Sequence, residues 1–139
     1  MDANPYHFHE SSKNIKLDGW KLCASLRRLD DVWVERVLSL GDFLGNNDGN
    51  FQWGGQNINQ SAQNPTLVYW EGYPILRASL QDNEGNYHQR DCNLSDKIGN
   101  GHGRFILDVG NGIIQVRGKY GDDGERNDVD ITSDTDWTR

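Results

Sequence analysis

The residues best suited to binding a ligand are concentrated in one short segment, Asn46-Asn47-Asp48-Gly49. Short Asn and Asp side chains donate or accept several hydrogen bonds, and they lose little conformational freedom when a ligand fixes them. The same residues are also what a tight turn needs, because Asn, Asp and Gly tolerate turn backbone geometry. The segment alone therefore leaves a ligand site and a simple turn as alternatives.

The segment lies inside an internal repeat. Residues 22–53 and 76–107 align at a constant shift of 54 positions, with 11 of the 32 aligned positions identical. A match at a shift of 50 extends upstream from Phe8 to Leu17, which places a four-residue insertion within 68–74. Two copies are too few for a solenoid. They predict one pseudo-symmetric domain with two equivalent surface sites.

Composition limits the classes of function. The chain has 139 residues, enough for one domain with a real core. A net charge of −7 argues against nucleic acid as a partner, since phosphate contacts need clustered Lys and Arg. The sequence shows neither an apolar run of membrane-spanning length nor an export signal at residues 1–5. We therefore expect no membrane partner and a protein that is cytoplasmic or released without a signal peptide.

Each repeat has the pattern of strands joined by tight turns. Leu22, Ala24 and Leu26 alternate with residues of the opposite face, and 76–80 repeats this two-residue period. Residues 33–40 and 87–94 predict a second strand in each repeat, with its apolar side facing inward. The spacing of Leu40, Phe43 and Leu44 predicts a short helical turn, which Gly45 or Gly99 would end.

The order of these motifs is specific. Both copies begin with Phe or Ile, continue with Leu-x-Ala-x-Leu and then have a turn. Each copy then continues with Leu-x-Asp-x-x-Gly-Asn and ends with Gly-x-Phe. This pattern resembles the cyanovirin-N homology family of lectins over about residues 6–107. The resemblance implies a mostly β, pseudo-symmetric two-repeat fold with short helical turns, in which the repeats exchange segments. We place the domain at 1–107, with repeats at about 8–56 and 57–107.

The resemblance further implies a carbohydrate pocket at each far end, with affinity for mannose-type glycans, no catalysis and no cofactor. One pocket is uniformly polar, and it is formed by Asn46, Asp48, Gln56, Asn57, Gln60, Ser61, Gln81, Asp82 and Asn83. The other departs more from the family pattern, and it is formed by His7, Glu10, Ser11, Arg27, Arg28, Leu29, Asn100, Gly101 and His102. We therefore expect the pocket around Asp48 to be the active one.

Other classes of function are less well supported. A protein-interaction module could use the same scaffold with exposed Trp and Tyr side chains as anchors. Paired carboxylates for glycoside hydrolysis are rejected for Asp42 and Asp96, because the two occupy equivalent places in separate repeats. A metal site at His7, His9 and His102, or a calcium loop within 122–128, lacks a specific spacing, so we expect no metal.

The two cysteines are not repeated, since Cys23 aligns with Arg77 and Cys92 with Leu38. We therefore expect free thiols, which suit a reducing compartment. The resemblance implies two disulfides at positions occupied here by Ser12, Leu26, Ala62 and Leu80, so both are missing.

Residues 108–139 lie outside the resemblance. The segment 112–118 has strand character and predicts an added hairpin, whereas the sequence from Gly121 onward is acidic and suggests a mobile tail. The link between the repeats falls at 54–57, where two glycines allow a tight return of the chain. We therefore expect a monomer, with a domain-swapped dimer as the alternative association state.

Overall fold

The computed structural model describes residues 7–109, 113–116 and 129–132 of the chain, and in the last two ranges Val116 alone has a described side chain. Each repeat contributes a three-stranded antiparallel sheet. The first sheet is formed by β1 (Ser12–Asp18), β2 (Lys21–Arg27) and β3 (Trp33–Ser39). The second is formed by β6 (Ala62–Trp70), β7 (Tyr73–Gln81) and β8 (Tyr87–Asn93).

Each repeat also contributes a hairpin. The first is formed by β4 (Leu44–Asn47) and β5 (Asn50–Trp53), and the second by β9 (Ile98–Asn100) and β10 (Phe105–Asp108). Short 3-10 turns precede each sheet and each hairpin, at Phe8–Ser11, Leu40–Asp42, Ile58–Gln60 and Leu94–Asp96. The prediction of a mostly β, two-repeat fold with short helical turns is confirmed.

The predicted inward faces form one core. Leu22, Leu26, Leu76 and Leu80 are all fully buried, and residues of both repeats join a single apolar cluster. The sequence predicted that Gly45 ends the helical turn, but Gly45 lies inside β4. A Cβ atom there would lie 2.9 Å from the backbone nitrogen of Gln56, so close approach of the link explains this glycine.

The four-residue insertion lengthens one hairpin. β6 and β7 have nine residues each, whereas β1 and β2 have seven. The extra length places Tyr69 and Trp70 at the tip, where Trp70 pairs with Tyr73. The second sheet therefore extends further than the first at its hairpin end.

Two asparagines fasten the repeats to each other. The Asn46 amide nitrogen donates to the carbonyl oxygens of Ser61 (3.2 Å) and Gln81 (2.8 Å) and to the Ser61 hydroxyl (2.9 Å). Asn100 makes the equivalent contacts to Ser11 and to the Arg27 carbonyl, at 2.8 to 3.2 Å. Each hairpin therefore completes the half of the molecule that carries the other repeat's sheet.

The link between the repeats is tightly packed. Gly54 has a φ of +87° and lies against the Val109 carbonyl oxygen, 2.6 Å from where its Cβ would be. The Gly55 amide donates to the Gln52 carbonyl at 3.2 Å, and a Cβ on Gly55 would lie 3.0 Å from the Gly45 Cα. Both positions therefore require glycine for the return path.

The C-terminal segment continues the sheet of the second hairpin. β11 (Ile113–Val116) pairs with β10, in the region for which the sequence predicts strand character. β12 (Val129–Thr132), which lies within the predicted mobile tail, pairs with β11. The alternation of Val129 and Ile131 with polar residues is typical of such a strand. The rest of the predicted tail lies outside the described residues.

Both cysteines are free thiols. Burial raises the pKa of the Cys23 thiol, and it raises that of Cys92 to about 12. Because the thiolate is the nucleophile, burial protects Cys92 more than the half-buried Cys23.

We therefore expect a disulfide-exchange reagent at neutral pH to modify Cys23 first and Cys92 only after unfolding. Reductant should leave the melting temperature unchanged. Differential scanning calorimetry measures this temperature. A fall of several degrees in the melting temperature on reduction would reveal a disulfide and contradict this assignment.

Replacement of Asn46 by Ala should lower the free energy of unfolding by about 1–3 kcal/mol, because the Gln81 and Ser61 carbonyls, the Ser61 hydroxyl and the Gly49 amide each lose a hydrogen bond. Asn100→Ala removes the equivalent contacts and should cost a similar amount. Urea denaturation measures both, with the exposed Asn47→Ala as the control. Unfolding free energies for the first two variants equal to that of Asn47→Ala would contradict the fastening role.

Candidate functional site

The turn between β4 and β5 carries Asp48, an exposed residue of the predicted polar pocket. Asp48 and Gly49 have φ values of 52° and 87°, as a two-residue hairpin turn with both central residues left-handed requires. The Asn46 side-chain oxygen accepts from the Gly49 amide at 2.8 Å, and the Gly49 carbonyl accepts from Arg90 Nε at 2.8 Å. The turn is therefore held rigidly from both sides.

Asn46 itself is committed to the protein. Its amide nitrogen donates to Ser61 and Gln81 and its oxygen accepts from Gly49, so both ends of the amide form hydrogen bonds within the fold, and a contact of Asn46 with a ligand stays a prediction. The same holds for Asn100 at the opposite end, whose side-chain oxygen accepts from the Gly103 amide at 2.8 Å. These residues position the turns.

Asp48 lies on the exposed side of its turn and faces the β7–β8 turn. One carboxylate oxygen accepts a hydrogen bond from the Asn83 backbone amide at 2.9 Å. Among the described residues, the second oxygen has no hydrogen bond, and the side chains of Asp48 and Asn83 are exposed. This carboxylate is therefore fixed in direction while it keeps acceptor capacity for a ligand.

Asp82 supports the opposing wall. Its carboxylate accepts from the amides of Glu84 and Asn86, both at 2.9 Å, and contacts His88 Nε2 at 2.7 Å. The hydrogen bond with His88, foremost, holds the pKa of Asp82 below its usual value. No sequence motif marks His88 as part of this wall, whereas the identity of Arg36 and Arg90 across the repeats is a signal that points to Arg90.

The remaining predicted residues of this pocket divide between two places. Ser61 and Gln81 lie at the Asn46 contacts, and the Gln81 side chain reaches the Gly85 carbonyl at 3.4 Å. Gln56, Asn57 and Gln60 are exposed residues of the link and the 3-10 turn that follows it. Asn57 lines a separate cavity of about 290 Å³ together with Trp20 and Asn59.

The opposite end has the same backbone plan with different side chains. His102, which replaces Asp48, accepts from the Leu29 amide through Nδ1 at 3.0 Å, in the place of the Asp48–Asn83 contact. Arg36 Nε donates to the Gly103 carbonyl at 2.9 Å, as Arg90 does to Gly49. Ser11 is used by Asn100, and His7 lies 3.4 Å from the Glu10 carboxylate.

Arginine side chains cover this second turn. A Cβ on Gly103 would lie 2.6 Å from Arg28 Cγ, so the methylene stem of Arg28 lies against this turn. The equivalent residue at the other end of the molecule, Asp82, has a shorter side chain. The Arg28 guanidinium pairs with Asp30 at 2.6 Å, while its Nε is buried without a hydrogen-bond partner. Burial, and then the charges of Arg104 and Arg28, lower the pKa of Arg36. Arg27 is exposed, and Gly101 is buried.

Within the described part of the chain, no three His, Cys, Asp or Glu side chains are grouped so as to hold a metal ion. Nor does any described helix have the length and apolar character needed to cross a membrane. His7 and His9 pack against Tyr73, with ring centroids 5.8 and 4.8 Å away.

Comparison with known proteins agrees with this geometry. The family model of the CVNH domain matches residues 8–106. A cyanovirin-N homolog of Neurospora crassa is 45% identical over 87 residues, which are 60% of this chain and 78% of the relative. The NMR structure of the Gibberella zeae CVNH protein, GzCVNH, is 42% identical, with a TM-score of 0.69 over 73% of this chain and 97% of that one.

Two further solved structures are complexes with carbohydrates. A microvirin:mannobiose complex is 26% identical, with a TM-score of 0.65 over 75% of this chain and 98% of that one. A MoCVNH3 variant in complex with (N-GlcNAc)4 is 25% identical, with a TM-score of 0.66 over 73% and 96%. The family match spans both repeats and both candidate ends, and the chain belongs to the CVNH (cyanovirin-N homology) domain family.

Proposed function

We propose that the protein is a non-catalytic lectin that binds mannose-type oligosaccharides, and that its principal site is the Asp48 end. The observation that carries this proposal is the Asp48 carboxylate, fixed through one oxygen by the Asn83 amide while the other stays exposed. Sugar hydroxyls need rigid acceptors and donors, and a turn held before binding loses little entropy on binding. The complex of microvirin with mannobiose supports the ligand class.

The two ends differ in what they offer a sugar. At the Asp48 end, the turn presents a carboxylate beside the exposed residues Asn47, Asn50 and Asn83. At the other end, an imidazole replaces the carboxylate, Leu29 replaces Asn83, and the Arg28 stem lies against Gly103. Charged acceptors form stronger hydrogen bonds than neutral ones, so the Asp48 end should dominate affinity.

A hydrolase is disfavoured on geometry. Ser95 and His9 form a hydrogen bond of 2.7 Å that pairs a hydroxyl with a base, as a nucleophilic site would need. Ser95 is fully buried in the core, however, so a substrate cannot reach its hydroxyl. This pair therefore joins two 3-10 turns and does not form a catalytic site.

Asp48→Ala should leave the fold intact and weaken the binding of mannobiose by about 1–3 kcal/mol, because a hydrogen bond to a charged group is lost. Isothermal titration calorimetry measures the change, with His102→Ala as the matched variant at the equivalent position. We expect His102→Ala to change affinity much less. An unaltered affinity in Asp48→Ala would contradict the site assignment.

A protein-interaction module on the same scaffold is the competing function. Binding to a glycan array that free oligomannose blocks would support the lectin, whereas an array without signal would favour the module. Including (N-GlcNAc)4 on the array tests the sugar class, since a relative binds that ligand. A preference for (N-GlcNAc)4 would contradict mannose specificity and leave carbohydrate binding intact.

We infer further that the protein is a monomer at micromolar concentration. Gly54 and Gly55 allow the link to return tightly, and the Gly55 amide adds a hydrogen bond to Gln52. Opening this link is what a domain-swapped dimer requires, because the exchanged contacts are otherwise the same.

Gly55→Pro should therefore raise the fraction of dimer, because the ring removes that amide donor and crowds Gly45. Gly72→Ala, at a glycine with open space around its Cβ position, should stay monomeric. Size-exclusion chromatography with light scattering measures both. A stable dimer of the unaltered protein on dilution would show the inference to be wrong.

A further inference from the structure

A groove on the outer face of the second sheet has a composition unlike either end of the molecule. Its volume is about 420 Å³, within the range of small-ligand sites. It is lined by Val68, Tyr69, Trp70, Ile75, Arg77 and Asp91. The groove therefore combines exposed aromatic rings, a small apolar floor and one ion pair.

The aromatic part is unusually open to solvent. Trp70 is 64% exposed and Tyr69 54%, both on the strand that forms one side of the lengthened hairpin. Ile75, by contrast, is buried, and the register pairs it with Val68 across the strands. Exposed aromatic rings next to an apolar floor are typical of a surface that receives a ligand with one apolar face.

The polar part is geometrically fixed. Arg77 Nε donates to Asp91 Oδ1 at 2.8 Å, and Arg77 Nη2 donates to Asp91 Oδ2 at 3.0 Å. This bidentate pair uses two of the five N–H groups that a guanidinium carries, and each carboxylate oxygen keeps a second acceptor position. The pair therefore presents donors and acceptors side by side, which is the pattern that neighbouring sugar hydroxyls match.

The side chains that line the groove are not repeated in the first half. Cys23 and Val37 occupy the positions of Arg77 and Asp91, and they pair in the same register. The hairpin there is two residues shorter on each strand, so it has no equivalent of the Trp70 tip. Both the ion pair and the aromatic rings are thus specific to the second sheet.

We propose that this groove is a third carbohydrate-binding site, which holds one pyranose ring of a glycan with its apolar C–H face on Trp70. The hydroxyls at the edge of the ring bond to Asp91 and Arg77. The ligand class rests on the function proposed above.

The site is separate from the Asp48 end. Strand β6 runs from Ala62, beside the Asn46 contacts, to Trp70 at the hairpin tip. Nine residues of strand at about 3.3 Å each place Trp70 roughly 25–30 Å from the Asn46 contacts, and Arg77, at the near edge of the groove, lies about 13 Å from Gln81 along β7. One glycan molecule with several branches could then engage two sites of the same protein, which raises avidity without new contacts.

The test is an NMR titration of the full chain, labelled with ¹⁵N, with mannobiose and separately with (N-GlcNAc)4. We expect the Trp70 indole N–H signal, assigned by its loss in Trp70→Phe, to shift in a saturable way with at least one saccharide. The shift should persist in Asp48→Ala. Asp91→Asn and Trp70→Ala should each weaken binding at this site about 2- to 12-fold, as expected for one aromatic or polar contact.

Trp33 provides the matched control, because it is 40% exposed but the Lys13 ammonium already lies 4.2 Å from its ring centroid. Its indole signal should not move. Shifts of the Asn83 amide without any shift of Trp70 would overturn the third site and leave the proposed function standing. A shift of Trp70 alone would support the groove and overturn the Asp48 assignment. A Trp70 signal that responds to neither saccharide would overturn the proposal that the groove binds carbohydrate. A groove that binds a protein instead would give this result.

Discussion

Hydrogen bonds from two asparagine side chains hold together both the fold and the candidate sites. Asn46 and Asn100 each join a hairpin of one repeat to the strand ends of the other, and each also closes its own turn through a glycine amide. A half-buried amide that satisfies four partners is costly to remove, so the exchanged arrangement is well specified. The same hydrogen bonds make the solvent-facing turns rigid, so the surface that a ligand contacts is organised before binding.

The duplicated scaffold carries two different surfaces. The same backbone contact uses a carboxylate and Asn83 at one end, and an imidazole and Leu29 at the other. At the Asp48 end, the neighbouring wall contains Asp82 and His88. At the His102 end, the equivalent positions are occupied by Arg28 and Val34. The packing of the shared backbone therefore does not determine which side chains each end exposes to a ligand. The insertion in β6 and β7 adds a further difference, which lies away from both ends.

Much of the fold could be predicted from the sequence, because the alternation of Leu22, Ala24 and Leu26 repeats at 76–80 and has one physical interpretation. The roles of single polar residues could not be predicted in the same way. An asparagine in a turn can bind a ligand or its own chain, and the contacts of Asn46 with Ser61 and Gln81 depend on an approach of the second repeat that the sequence does not specify. Gly45 suggested the end of a helical turn, yet its reason is the link that packs against it. His88 acts through a turn whose folded shape the sequence does not specify.

The most direct test of the central claim, that the Asp48 turn is the principal sugar site, is to map backbone amide shifts while mannobiose is added to ¹⁵N-labelled protein. We expect the largest changes at Asp48, Gly49 and Asn83, with a common saturation curve, and smaller ones at His102 and Leu29. Changes confined to the His102 end, or no saturable change at Asp48, would contradict it.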